Sequence, residues 1–221
     1  MAWTYYITDR KTCPIPLIEN IRQAIEASVD IIQIREKDLP ARELFSLAVQ
    51  AATLARGRST RVLVNDRLDV ALAAGFDGVH LAQNSVGPRS IRQQLHASEF
   101  LIGVSTHSIE EIRQLEDQGM SFITFGPVYY APSKAAYGVP VGPEALREAV
   151  RASRIPVLAL GGIDEGNYRQ CLALGAAGIA AIRLFQNPNG FPGGLVEAVR
   201  RFPLCMTSQP QADGGACPRR N

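Results

Sequence analysis

The stretch from Ile31 to Asn65, IIQIREKDLPARELFSLAVQAATLARGRSTRVLVN, decides the fold. It opens on an apolar run, Ile31 to Arg35, and closes on a second, Arg61 to Asn65. Between them, Ala41 to Arg56 sets Leu44, Leu47, Ala48, Ala51 and Leu54 on one stripe at three-to-four spacing, the pattern of a helix that packs along one face. Ile31-Ile32 and Val62-Leu63-Val64 do not alternate with polar residues, which is how parallel strands covered on both faces read. Strand, helix and strand make one βα unit, and such a unit invites a search for repeats.

The repeat extends in both directions. Further candidate strands are Trp3 to Thr8, Gly78 to Leu81, Leu101 to Ser105, Phe122 to Gly126, Pro156 to Leu160 and Gly178 to Ile182, with starts about 17 to 34 residues apart. Glu110 to Gln118 and Glu144 to Ala152 carry helical spacing, and Gly75, Gly119 and Gly175 fall where a left-handed residue closes a last turn. Eight βα units in about 200 residues predict an α/β fold, a single (β/α)8 TIM barrel over residues 1–204. From Thr207 the chain reads TSQPQADGGACPRRN, without a periodic apolar position, so a disordered tail is expected over residues 205–221. Pro127 to Gly142 is the longest internal connection. Its length suggests a lid or binding loop, with Gly138 and Gly142 able to serve as hinges.

Composition narrows the function. Of 221 residues, 23 are Lys or Arg and 21 Asp or Glu, and a net charge of +2 gives no basic stripe for nucleic acid. The longest apolar run, Cys171 to Ile182, has 12 residues, short of the roughly 20 that cross a bilayer. Met1 to Arg10 runs straight into a strand, with no export signal. Cys13, Cys171, Cys205 and Cys217 form no C-x-x-C pair and have no His at zinc-site spacing, so they read as free thiols of a cytoplasmic protein. The expected partners are small molecules.

In this barrel chemistry gathers at the carboxyl ends of the strands. Gln33-Ile34-Arg35-Glu36-Lys37, Asn65-Asp66-Arg67, His80 with Gln83-Asn84-Ser85, Ser105-Thr106-His107, the loop with Ser133 and Lys134, Gly161-Gly162 and Arg183 follow successive strands. Period-two alternation turns Arg35 and Lys37 inward, and with Lys134 they look like a clamp for a polyanion, while Asp66 is a candidate ligand for Mg²⁺ sharing the same oxygens. The alternative is a solvated charge run from Arg35 to Lys37. Gly161-Gly162 offers backbone N–H groups to a phosphate monoester, aided by the next helix, or is a plain turn. His96 reads as a surface residue, and His80 and His107 as packed or catalytic. No Ser-His-Asp set, H-E-x-x-H or P-loop is present. Ser105 has His107 two residues on but no oxyanion-hole motif, which argues against a nucleophilic Ser.

Taken together, Tyr6-Ile7-Thr8-Asp9, Gln33 to Lys37, Asn65-Asp66-Arg67-Leu68-Asp69, Asp77 to Leu81, Gly103 to His107, Gly126-Pro127-Val128 and Ala159 to Ile163 resemble the thiamine-phosphate synthase family, over nearly the whole barrel up to Phe185. The resemblance implies a transferase that joins hydroxymethylpyrimidine diphosphate to a thiazole phosphate, or to the carboxylate of that thiazole phosphate, and releases diphosphate. It implies that Gln33, Ile34, Arg35, Glu36, Lys37, Asn65, Ser105 and Lys134 hold the pyrimidine diphosphate, with Arg35, Lys37, Ser105 and Lys134 carrying the catalysis. It implies further that Ser133, Gly162, Ile182 and Arg183 hold the thiazole phosphate, and that Asp66 binds Mg²⁺.

The chain departs from the family at three places. Ser85 stands where a second metal-binding Asp is usual, Ala131-Pro132-Ser133-Lys134 replaces T-x-T-K, and Arg183 replaces a Ser after the eighth strand. These departures leave two alternatives: a metal-independent thiazole tautomerase on the same barrel, and a non-catalytic binder of thiazole or thiamine phosphate.

Overall fold

A computed structural model describes residues 1–95, 97–131, 139–186 and 193–201. The strands are β1 (Trp3–Ile7), β2 (Ile31–Ile34), β3 (Arg61–Asn65), β4 (Gly78–Leu81), β5 (Leu101–Thr106), β6 (Phe122–Phe125), β7 (Val157–Leu160) and β8 (Gly178–Ala181). The helices are α1 (Leu17–Glu26), α2 (Ala41–Ala55), α3 (Leu68–Ala74), α4 (Pro88–Gln94), α5 (Ile109–Gln114), α6 (Gly142–Ala152), α7 (Tyr168–Ala173), α8 (Arg183–Gln186) and α9 (Gly193–Arg201). Each strand pairs in parallel with the next and β8 returns to β1, closing the barrel in sequence order. The TIM barrel expected from the βα repeat is the architecture found.

Two apolar layers follow from strand alternation. Residues of one parity, among them Tyr5, Ile31, Leu63, Phe122, Leu158 and Ala180, fill the barrel interior. Those of the other parity, such as Ile32, Ile34, Val62, Val64 and Val79, join Leu44, Ala48 and Ala51 of α2 in the outer layer between strands and helices. The parity explains why Val62-Leu63-Val64 is apolar throughout. Ile34 belongs to the outer layer and is fully buried there, so its side chain faces the helices.

The element ends differ from expectation by small amounts with local causes. β2 stops at Ile34, because the ladder with β1 ends at the Ile7–Gln33 pair and the chain then turns, Leu39 N–H bonding Glu36 O at 3.1 Å. α5 stops at Gln114, four residues early, where Asp117 and Gly119 take positive φ angles of 60° and 80°. Gly75 and Gly175, like Gly119, are left-handed as expected, at 68° and 98°. The last helix is pinned to the loop before β2, since Arg200 bonds Ser28 O and the Asp30 carboxylate, which also accepts from Thr4. Ser133, Lys134, Gly138, His96 and the expected tail lie outside the described residues.

Candidate active site

The carboxyl ends of β2 to β5 bring Gln33, Arg35, Asn65, Asp66, His80, Ser85 and Ser105 to one side of the barrel mouth. Gln33, Asn65, His80 and Ser105 share the inward parity of Ile31, Leu63, Gly78 and Leu101. Arg35 follows Gln33 at the same parity and is half-buried, its N–H held by Thr8 Oγ1 at 2.9 Å. Among the described residues neither Arg35 nor Lys37 forms an ion pair.

The charge run divides into three different environments. Arg35, half-buried, lies near enough to His80 for its charge to act on that ring. Glu36 is 4% exposed, and its carboxylate accepts from Thr8 Oγ1 at 2.7 Å and from the Arg10 N–H at 3.1 Å. Its oxygens are taken up by the neighbouring β1 end, so it fixes the loop. Lys37 begins an exposed turn beyond the strand, where alternation no longer sets direction. Its inward aim therefore does not follow from the strand.

At the next strand end Asp66 adopts a φ of 58°, a left-handed conformation that carboxamide and carboxylate side chains tolerate better than most. Its Oδ1 accepts from the Ala82 N–H at 3.0 Å and from the Ser85 hydroxyl, and its Oδ2 from Asn65 Nδ2 at 2.9 Å. The position where a second Asp is usual thus supplies a hydroxyl that bonds the first. One exposed carboxylate and one hydroxyl are hard oxygen donors of the kind Mg²⁺ accepts, provided substrate oxygens and water complete the shell. Among the described residues no cluster of three or more His, Cys, Asp or Glu could hold a metal.

Deeper in the barrel runs a buried polar chain. Gln33 Nε2 donates to Tyr5 Oη at 2.5 Å, Tyr5 Oη lies 2.9 Å from His80 Nδ1, and His80 Nε2 lies 2.9 Å from Ser105 Oγ. Burial drives the His80 pKa from its ordinary 6.5 down to about 3, and the neighbouring Arg35 charge adds to this while Asp66 opposes it. Burial likewise raises that of Tyr5. Both rings are therefore neutral near pH 7. His107, the sequence neighbour of Ser105, bonds Gly126 O through Nδ1 and makes no bond to that hydroxyl. Sequence reasoning missed Tyr5 and left His80 undecided. The available signal was parity, since Tyr5, Gln33, His80 and Ser105 all sit at inward positions of their strands.

Across the mouth stand Gly161 and Gly162, because β3 and β7 are four strands apart in a ring of eight. Gly162 has a φ of 64°, and a Cβ there would fall 2.6 Å from Tyr130 O and 2.7 Å from the Tyr129 carbonyl carbon. The glycine is thus required by the loop after β6, which lies against it. Among the described residues the Gly162 N–H meets no acceptor, while its carbonyl accepts from Asn167 Nδ2 at 2.8 Å. The helix expected to follow directly begins only at Tyr168, so its dipole does not lie behind Gly162. The short helix at the mouth is α8, opening on exposed Arg183 beside half-buried Ile182.

A (β/α)8 barrel that gathers an arginine without an ion pair among the described residues, an exposed carboxylate and a facing glycine pair at its carboxyl mouth has the groups that bind phosphorylated small molecules in this class of fold. Within that class the relationship is specific: the model of the thiamine monophosphate synthase family matches residues 4–185, and the chain belongs to this family, which makes it a transferase. A putative thiamine-phosphate synthase of Geobacter sulfurreducens is 48% identical over 179 residues, 80% of this chain and 84% of the relative. A thiamine-phosphate synthase of Moorella thermoacetica is 37% identical over 182 residues, 81% and 86% of the two chains. Among solved structures, thiamine phosphate pyrophosphorylase from Pyrococcus furiosus superposes with a TM-score of 0.78 at 32% identity, over 91% of this chain and 95% of that one.

Proposed function

We propose that the protein condenses hydroxymethylpyrimidine diphosphate with a thiazole phosphate, giving thiamine phosphate and diphosphate. The observation that carries the reading is the placement of Arg35, Asn65, Asp66 and Ser105 on one side of the mouth, facing Gly162 on the other. In the reaction the bond between the pyrimidine methylene carbon and the diphosphate oxygen breaks, and the bond from that carbon to the thiazole nitrogen forms. The protein has to hold the leaving group's charge and aim the nucleophile.

Arg35 supplies a bidentate cation to the diphosphate, and Lys37 and Lys134 add point charges. Asn65 and Ser105 donate hydrogen bonds to the same ligand. Gln33 keeps its amide oxygen for the pyrimidine while its nitrogen holds Tyr5. Gly162 N–H binds the thiazole phosphate, with Ser133, Ile182 and Arg183 bounding that subsite. Mg²⁺, held by Asp66 with Ser85 beside it, would neutralise charge on the departing diphosphate. No helix among the described residues is long and apolar enough to cross a membrane, consistent with a cytoplasmic enzyme acting on diffusible substrates.

The test is to incubate the purified protein with both substrates, with and without Mg²⁺, and follow diphosphate. Mg²⁺-dependent release supports the reading. Isomerisation of the thiazole carboxylate without release would make the protein a tautomerase, and tight binding with neither reaction a sensor.

A further inference from the structure

Ser105 is a weak donor unless its hydroxyl hydrogen is aimed, because a hydroxyl rotor turns to suit whichever partner is nearest. The buried chain beneath it sets that aim. Gln33 Nε2–H donates to Tyr5 Oη, so the one hydrogen of Tyr5 is left for His80 Nδ1, 2.9 Å away. With Nδ1 accepting, the neutral imidazole carries its hydrogen on Nε2, which lies 2.9 Å from Ser105 Oγ. We infer that His80 is a positioning residue: as the Nε2–H tautomer it occupies a lone pair of Ser105 and leaves the Ser105 hydrogen free to point into the mouth.

Three further features support this direction. A Cβ at residue 103 would fall 2.7 Å from His80 Nδ1 and 2.4 Å from Phe122 Cζ, so Gly103 is what lets the imidazole occupy its place between β4 and β5. Phe122 and Tyr5 pack beside the imidazole at centroid distances of 6.0 and 5.6 Å, and the contacts of its two nitrogens with Tyr5 and Ser105 set which way the ring is turned. Thr124, aligned with Ser105 on the neighbouring strand, keeps a buried Oγ1 without a partner among the described residues and does not compete for the Ser105 hydroxyl. The opposite polarity, with Nδ1–H donating to Tyr5 and Ser105 donating down to Nε2, would leave the Tyr5 hydroxyl hydrogen no acceptor among its two partners and turn only Ser105 lone pairs toward an incoming anion.

The inference rests on the proposed synthase reaction for its consequence, since an outward Ser105 hydrogen matters because a diphosphate arrives there. Its structural half can be measured without substrate. In ¹⁵N-histidine-labelled protein, long-range ¹H–¹⁵N correlations assign the His80 ring by its loss in His80→Gln. A pyridine-like Nδ1 and pyrrole-like Nε2 are expected, and a pyrrole-like Nδ1 overturns the inference whether or not the protein turns over. The functional half is read by steady-state kinetics. His80→Leu should lower kcat about 10- to 100-fold with little change in KM, as loss of a partner that orients a contacting group does. His80→Gln, which keeps an N–H near the Nε2 position, should recover most of it. Tyr5→Phe removes a single oxygen and disturbs packing least, so it covers the case in which His80→Leu fails to fold, and it too should lower kcat. In a Ser105→Ala background the same substitutions should cost less than about threefold, because coupled residues are non-additive. Full additivity, or a loss confined to stability, overturns the positioning role.

Discussion

Ser85 donates a hydrogen bond to the carboxylate of Asp66, joining the loop after β4 to the end of β3. The contact puts residue 85 against the exposed Asp66 carboxylate at this edge of the mouth. Replacing Ser85 with Asp would set two carboxylates face to face, which costs stability without a cation and adds a ligand with one. Ser85→Asp should therefore lower the Mg²⁺ concentration for half-maximal activity, by about tenfold if the added carboxylate contributes about 1.4 kcal/mol. It should also make thermal stability depend on Mg²⁺. An unchanged metal requirement would remove residue 85 from the metal's surroundings.

Arg35 and Glu36 are adjacent in sequence and opposite in consequence. Glu36→Gln leaves Thr8 and the Arg10 N–H with a weaker acceptor in a buried place, a change costing about 1 to 3 kcal/mol. Arg35→Gln removes a half-buried cation without an ion pair, so it should spare the melting temperature and lower kcat/KM for the pyrimidine diphosphate by about a hundredfold or more, the scale of one lost charge-stabilising donor. Urea melts beside initial rates separate the two. Equal effects of both substitutions on both readouts would place Glu36 back among the ligand contacts.

Gly162→Ala introduces a Cβ where φ is 64° and the backbone of Tyr129 and Tyr130 stands 2.6 to 2.7 Å away. Such strain is of the order of 1 to 3 kcal/mol. The expected outcome is a lower melting temperature together with a raised KM for the thiazole phosphate, as the loop after β6 is pushed from the mouth. A stability loss with an unchanged KM would make the glycine pair a packing device alone.

His80 links stability to pH. Its folded pKa of about 3 lies below the ordinary 6.5, so between those values the unfolded chain binds a proton that the folded one does not. Stability should fall as pH drops below about 6.5, by up to about 1.4 kcal/mol per unit from this group. Tyr5→Phe leaves this proton uptake in place, whereas His80→Gln abolishes it and should flatten the acid limb of a denaturation series. Identical pH slopes in the His80→Gln and unsubstituted proteins would contradict a neutral buried imidazole.

Much of this architecture is readable in the chain itself. The two apolar layers of a closed parallel barrel leave strands such as Val62-Leu63-Val64 without polar interruption, so their existence and order are plain. Parity also brings Gln33, Asn65, His80 and Ser105 to the mouth. What parity does not carry is the direction of a residue just past a strand end. Glu36 turns to Thr8, 28 residues away, and Lys37 enters a turn. The partner of Ser105 was equally hidden. His107 is near in sequence, but register places His80 opposite Gly103, and the missing side chain there admits the imidazole. The hydrogen bond from Ser85 to Asp66 likewise depends on how two loops fold over adjacent strand ends.

The most direct measurement of the proposed reaction is product analysis by mass spectrometry after incubation of the purified protein with hydroxymethylpyrimidine diphosphate, thiazole phosphate and Mg²⁺. Thiamine phosphate and diphosphate in equal amounts, both formed about a hundredfold or more slowly by Arg35→Gln at low pyrimidine diphosphate, are the expected result. Conversion of the thiazole carboxylate to its other tautomer, with no diphosphate and no need for Mg²⁺, would contradict it.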